Sequence, residues 1–201
     1  MSAKGQSTET KSPEASGAKP DAYETRRAKA LAMGGAEKLA RRKAVGVLNA
    51  RERVDVLVDA GTFIESGLFG ASATRPEDRD KSAADGKIAG FGKIDGRECA
   101  VVANDFTVMG ASSSATNGRK IGHMKRVAAS RGLPMVFLGE SSGARMPDHM
   151  GSRGMGALLG NDGTQYMRMR ETPWVSATLG YSYGSLSWYA VLSDFSVIRK
   201  G

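Results

Sequence analysis

Two stretches of small residues could do chemistry with main chain alone. In "PMVFLGESSGAR" (134–145) and "WVSATLGYSYGSLSW" (174–188) an apolar run gives way to Gly and Ser just ahead of a segment with helical character. The first N–H groups of a helix have no intrahelical acceptor and sit at the positive end of its dipole, so each junction is a ready anion site. If the two turns face each other, one N–H from each can bracket an oxygen that gains negative charge during reaction, an oxyanion hole built of backbone. Losing one such donor typically costs about 10² to 10³ in rate. Flexible loops are the competing reading, and spacing alone favours neither.

The same letters carry a rival chemistry. Gly139-Glu140-Ser141-Ser142-Gly143 fits the G-x-S-x-G elbow of a serine hydrolase, with Ser141 as nucleophile. That mechanism needs a carboxylate and then a histidine downstream. His123 precedes the elbow, and His149 follows Ser141 by eight residues, too close to fold back over it; both read as lone surface histidines. The hydrolase therefore requires a base from beyond the chain. Arg145 has two readings, an ion pair with a carboxylate such as Asp148 or a contact to a substrate phosphate. "GSRGMGALLG" (151–160) lacks the third glycine and the preceding strand of a dinucleotide loop and is set aside, serving instead as a place where a helix approaches backbone closely. Cys99 lies in an apolar strand pattern and is expected in the core.

Composition narrows the classes. With 40% apolar and 25% charged residues the chain is neither fibre nor membrane protein. It holds 26 glycines in 201 residues, nearly twice the usual share of about 7%, so something needs the conformations or close approaches that glycine permits. The net charge of +8 points to an anionic partner. No basic stripe interleaved with aromatics appears, so nucleic acid is not expected. A single cysteine rules out an internal disulfide and a Cys-rich metal site, and no metal is expected; it fits a reducing, cytoplasmic setting. The first twenty residues lack the hydrophobic centre of a secretory signal, and Glu9 and Glu14 argue against a transit peptide.

Residues 1–22 are Ser, Lys, Glu, Pro and Gly with almost nothing apolar, a disordered tail. A basic helix follows over 23–43, interrupted at Gly34-Gly35. Asn49, with Glu52 three residues on, reads as a capping box before a helix whose apolar stripe is Val54, Leu57 and Val58. Asp95-Gly96 between two apolar runs is a hairpin signal. Then come a basic helix (115–130), the strand "LPMVFL", a helix over 155–170, the strand "WVSATLG", a short helix through Leu192 and a last strand "DFSVI". Strands alternating with helices predict an α/β fold with a largely parallel sheet.

Four blocks in order, "ARERVDVLVDAGTFIE", "DGKIAGFGKIDGRECAVVANDFTVMGASSS", "ESSGARM" and "LGYSYGSLSWYAVLSDFSVI", resemble the carboxyltransferase (beta) subunits of biotin-dependent acyl-CoA carboxylases, the propionyl-CoA, methylcrotonyl-CoA and acetyl-CoA group, from about Arg42 to Gly201. The resemblance implies a crotonase-like (ClpP/crotonase) fold of repeated strand-strand-helix units. It also implies transfer of a carboxyl group from carboxybiotin to the α carbon of an acyl-CoA, through an enolate whose oxygen is held by paired backbone turns. Onto this sequence that carries Ser142, Gly143 and Ala144 of the first turn and Gly184 and Ser185 of the second. Arg145, Arg119 and Lys120, with Lys125 and Arg126 nearby, are candidates for the CoA phosphates; a solvated helix face is the alternative. The family's Asp-Ser-Gly-Gly-Ala-Arg is Glu140-Ser141-Ser142-Gly143-Ala144-Arg145 here, and its Gly-Gly pair is Gly184-Ser185. Implied partners are the acyl-CoA, a biotin carboxylase or biotin-carrier subunit and further copies of the chain. Such subunits usually continue well past this point, so residues 23–201 are expected to be an incomplete N-terminal, acyl-CoA-binding half, inactive alone or acting as a non-catalytic acyl-CoA binder.

Overall fold

The computed structural model describes residues 22–150 and 172–200. The tail expected over 1–22, all but Ala22, lies outside them, as do the helix expected at 155–170 and the glycine-rich 151–160.

The basic N-terminal segment forms two helices, α1 (Ala22–Leu31) and α2 (Ala36–Ala44), broken at the glycine pair. Only glycine fits at position 34: a Cβ there would lie 2.1 Å from the Thr107 carbonyl oxygen. Helix α3 (Ala50–Leu57) starts at the predicted capping box, Asn49 accepting from the Arg51 and Glu52 amides while Glu52 accepts from the Asn49 amide at 2.8 Å. Its stripe faces inward through Val54, 1% exposed, and Val58, 8%.

A short strand, β1 (Ile64–Glu65), and two 3₁₀ turns, Pro76–Lys81 and Ala83–Gly86, lead to β2 (Lys87–Ile94) and β3 (Arg97–Asn104). Asp95 (φ 49°) and Gly96 (φ 76°) form their two-residue hairpin turn. After a 3₁₀ turn at Met109–Ala111, α4 (Ala115–Arg131) begins at a second capping box, Ser114 with Asn117, and ends on left-handed Gly132. Strand β4 (Met135–Ser142), one-turn α5 (Met146–His149), β5 (Trp174–Tyr183), α6 (Ser185–Leu192) and β6 (Phe195–Ile198) complete the described chain.

The six strands stand in chain order in one sheet. From β3 to β6 neighbours are parallel, but β1, β2 and β3 pair antiparallel, so the sheet is mixed rather than largely parallel. For β2 and β3 the reason is local: a two-residue turn can join only antiparallel strands. Side chains alternate across the sheet. Val101, Ala103, Val136 and Leu138 meet α3 on one face, whereas Ala100, Val102, Met135 and Phe137 meet Ile121, Met124 and Ala128 of α4 on the other. Cys99 is buried in the first of these clusters, as expected.

Candidate functional site

Strands β4 and β5 run side by side and end together, Ser142 opposite Tyr183. At Gly143 the chain turns with φ 95°, and at Gly184 it adopts φ 62° and ψ −120° to enter α6, a conformation open essentially to glycine alone. The turns touch. A Cβ on Gly184 would stand 3.0 Å from Gly143 Cα, 3.5 Å from its carbonyl carbon and 3.7 Å from the Ala144 nitrogen. The five predicted donor positions are thus gathered where the two strands end.

Their amides are not equivalent. The Gly143 N–H donates to the Ser141 hydroxyl at 3.2 Å and is committed. The Ala144 N–H has no hydrogen-bond partner among the described residues. Ser185 opens α6, so its N–H belongs to the first turn that lacks intrahelical acceptors. Ser185 Oγ accepts from Ser113 Oγ at 2.9 Å, tying the second turn to the loop that holds the first. That loop makes a bridge with Ala144: the Ser113 N–H donates to the Gly143 carbonyl and the Arg145 N–H to the Ser113 carbonyl, both at 2.8 Å.

A buried ionic cluster sits behind the bridge. Arg145, 4% exposed, donates to Asp85 Oδ1 at 2.6 Å and to Ser112, with Asp148 at 3.7 Å. Asp85, fully buried, also accepts from the Ser114 hydroxyl and the Asn117 amide. Arg145 is therefore an ion-pair residue, with Asp85 rather than Asp148 as chief partner, and is not presented to a phosphate. Lys120 is likewise engaged: its ammonium donates to the Gly67, Ala84 and Lys87 carbonyls, and burial lowers its pKa to about 8. Lys125 lies buried over the Trp174 and Tyr189 rings. Arg119 is exposed. Lys87, wholly buried, donates to the Ala111 carbonyl at 2.7 Å, and loss of hydration lowers its pKa to about 7 against the pull of Asp85. Asp105, 1% exposed with one carboxylate oxygen unpartnered, is raised above the usual range, chiefly by burial.

The hydrolase reading fails on geometry. Ser141 is fully buried within β4, its Oγ holds the Gly143 amide, and among the described residues no imidazole is bonded to it. His149 is buried rather than at the surface, its Nε2 2.9 Å from the Ser113 carbonyl oxygen. Glu140 instead holds two helices to the sheet: Arg42 of α2 grips it at 2.8 and 2.6 Å, and Arg53 of α3 donates at 3.1 Å. Sequence reasoning missed Asp85, Lys87, Ser113 and the Glu140 triad. Only the isolated acidic or basic residue in an apolar setting marked them, because their partners lie far along the chain.

A mixed sheet whose parallel strands release two facing glycine turns into helices defines a crotonase-like enzyme scaffold. Residues 41–201 match the carboxyl transferase domain, and the chain belongs to that family. It is 34% identical over 181 residues to the putative propionyl-CoA carboxylase beta chain of Bacillus subtilis, covering 87% of this chain and 34% of the relative. It is 31% identical over 184 residues to the human mitochondrial propionyl-CoA carboxylase beta chain, covering 88% and 33%. Among solved structures it superposes on transcarboxylase 12S, crystallised with methylmalonyl-coenzyme A, with TM-score 0.75 and 30% identity over 88% of this chain and 34% of that one. A single-chain long-chain acyl-CoA carboxylase gives TM-score 0.77 at 25% identity, over 90% and 19%. The chain spans about a third of the length of the curated relatives it matches. Among the described residues no helix is long and apolar enough to cross a membrane, and no cluster of His, Cys, Asp or Glu could hold a metal ion.

Proposed function

We propose that this chain supplies the acyl-CoA side of a carboxyltransferase that places a carboxyl group on the α carbon of an acyl-CoA thioester. The observation that carries the reading is the open Ala144 N–H against the Gly184-Ser185 turn. A thioester oxygen seated there accepts from Ala144 and from the first turn of α6, so negative charge gathered on it as the α proton leaves meets fixed dipoles that need no reorganisation. Biotin, carried on a partner subunit, supplies the carboxyl group and the base for that proton. The residues fit this division, since Asp85, Lys87, Arg145 and His149 around the turns are each tied to a partner, and what the chain offers the substrate is N–H donors. Ser142 and Ser185, in place of family glycines, keep their amides.

The reading calls for a biotin carboxylase or carrier subunit, for further copies of the chain, and for a reducing compartment, the cytoplasm, for Cys99. Calorimetric titration tests the acyl-CoA half directly. Propionyl-CoA should bind more tightly than its S-propyl thioether, which has no carbonyl oxygen, and Gly184→Ala should erase the difference by pushing a methyl group against Gly143. Equal affinity of thioester and thioether for the unaltered chain would sink the reading.

A further inference from the structure

The two glycine turns offer main-chain donors, yet one side chain stands among them with an uncommitted proton. Ser185 Oγ accepts from Ser113 Oγ at 2.9 Å, and its own O–H has no acceptor among the described residues. Ser113 cannot stand in for it, since the Ser113 proton is the one donated. Ser113 is itself held firmly. Its N–H donates to the Gly143 carbonyl and its carbonyl accepts from the Arg145 N–H, both at 2.8 Å, and His149 Nε2 lies 2.9 Å from the same carbonyl oxygen. Both serines are half-buried, so the pair can be reached from solvent.

The bridge also fixes a direction. Ser113 bonds through its own N–H and C=O to the residues on either side of Ala144. In such a parallel pairing the middle residue's own groups face the other way. The Ala144 N–H is thereby left open beside the second turn, where a Cβ on Gly184 would stand 3.7 Å from its nitrogen. Ser185 is the next residue of that turn, with its N–H in the first turn of α6 and its hydroxyl anchored to the residue that brackets Ala144. We propose that the Ser185 hydroxyl is a further, side-chain donor of the oxyanion hole, a catalytic group that donates to the thioester oxygen, and that Ser113 is the positioning residue that orients it. The proposal rests on the acyl-CoA reading. A hydroxyl that accepts a hydrogen bond becomes a better donor, because linked hydrogen bonds polarise one another. Its bond to an oxyanion is charge-assisted and stronger than its bond to the neutral carbonyl. The contact therefore tightens as the α proton leaves, the condition for raising rate and not only affinity. Glycine, which the family carries at this position, keeps the N–H but has no such group.

Two variants separate a donor from a staple. Ser113→Ala and Ser185→Ala each remove one oxygen and break the same serine pair, but only the second removes the O–H that faces the substrate. The full chain and both variants are titrated with propionyl-CoA and its S-propyl thioether. The stretch of an isotope-labelled propionyl carbonyl is read in the bound state by infrared difference spectroscopy, since each donor to the oxygen lowers that frequency. Ser185→Ala should lose about three- to tenfold of the preference for thioester, the worth of one hydrogen bond, and should raise the bound frequency. Ser113→Ala, which leaves the donor present but unanchored, should do both to a smaller extent, and neither variant should change affinity for the thioether. Equal effects of the two variants, or no effect of Ser185→Ala on either readout, would overturn the proposal, the pair then serving only to tie the turns together. In that event the parent's preference for thioester still stands, whereas a parent that binds thioester and thioether alike removes the acyl-CoA reading and this proposal together.

Discussion

At the level of single residues, the serine at 142 is accommodated by a glycine elsewhere. A Cβ on Gly110 (φ 63°) would lie 2.5 Å from Ser142 Oγ and 2.9 Å from Ser142 Cβ. Gly110→Ala therefore meets two costs, a clash of about 1–3 kcal/mol and a left-handed backbone of about 1–2 kcal/mol. In a Ser142→Gly background only the second remains. Urea unfolding of the two single variants and the double should show a coupling of about 1 kcal/mol or more, and strict additivity would mean the contact does not exist. Lys87 gives a pH signature. Its pKa falls from 10.5 in the unfolded chain to about 7 when buried, so between those values the unfolded state binds the extra proton. Stability should therefore rise with pH across about 7 to 10.5, by at most about 1.4 kcal/mol per unit. That contribution is complete above the upper value and lost as pH falls to the lower. Lys87→Met should flatten the slope relative to the parent, while Lys120 and Cys99 titrate in both. Neither the Gly110 contact nor the Lys87 burial could be read in the sequence, because each depends on what the fold lays against the residue.

Among the elements, α3 allows a local and a distant device to be compared in one helix. Its capping box spans the four residues from Asn49 to Glu52 and was legible in the letters; so were the Asp95-Gly96 hairpin and the two strand-to-helix glycine turns, all fixed by neighbours in sequence. The triad that docks α2 and α3 on β4 joins residues 98 and 87 positions apart, so no local pattern announces it. Its side chains are largely shielded, 6% exposed at Glu140, 8% at Arg53 and 18% at Arg42. Removing one partner of such a cluster leaves a buried charge unmatched, at a cost of about 3–5 kcal/mol. Gly180 makes room for the arrangement, since a Cβ there would stand 2.7 Å from Glu140 Cγ. Asn49→Ala should lower the unfolding free energy by about 1 kcal/mol. Glu140→Gln should lower it by clearly more and raise amide exchange in α2 and α3 together. A small, cap-sized loss for Glu140→Gln would show that the triad contributes little to docking.

For the molecule as a whole, periodicity and turn chemistry were enough for the α/β class and for the order of most described elements, but not for sheet polarity, which the antiparallel hairpin alters, nor for the buried ionic layer behind the turns. The greatest departure from an ordinary soluble surface lies at the β6 end. Strand β6 is paired with β5 on one side, and all four of its residues are exposed. On the neighbouring helix α6, apolar along most of its length, only Leu186 is buried; Trp188 is 47% and Val191 81% exposed, with Phe195 at 63% and Ile198 at 73% close in sequence. Exposed apolar side chains beside a strand edge that has no partner among the described residues are the usual route to association, through both burial and ladder hydrogen bonds. The net charge of +8 opposes it weakly, and less so as salt screens the repulsion. Sedimentation equilibrium of the 201-residue chain should give a mass that climbs above 21.2 kDa with concentration and climbs further in high salt. Val191→Glu combined with Val197→Lys, both at exposed positions, should return it to the monomer value without loss of helical signal. A mass fixed at the monomer value for the parent chain across that range would show that the exposed face does not drive association.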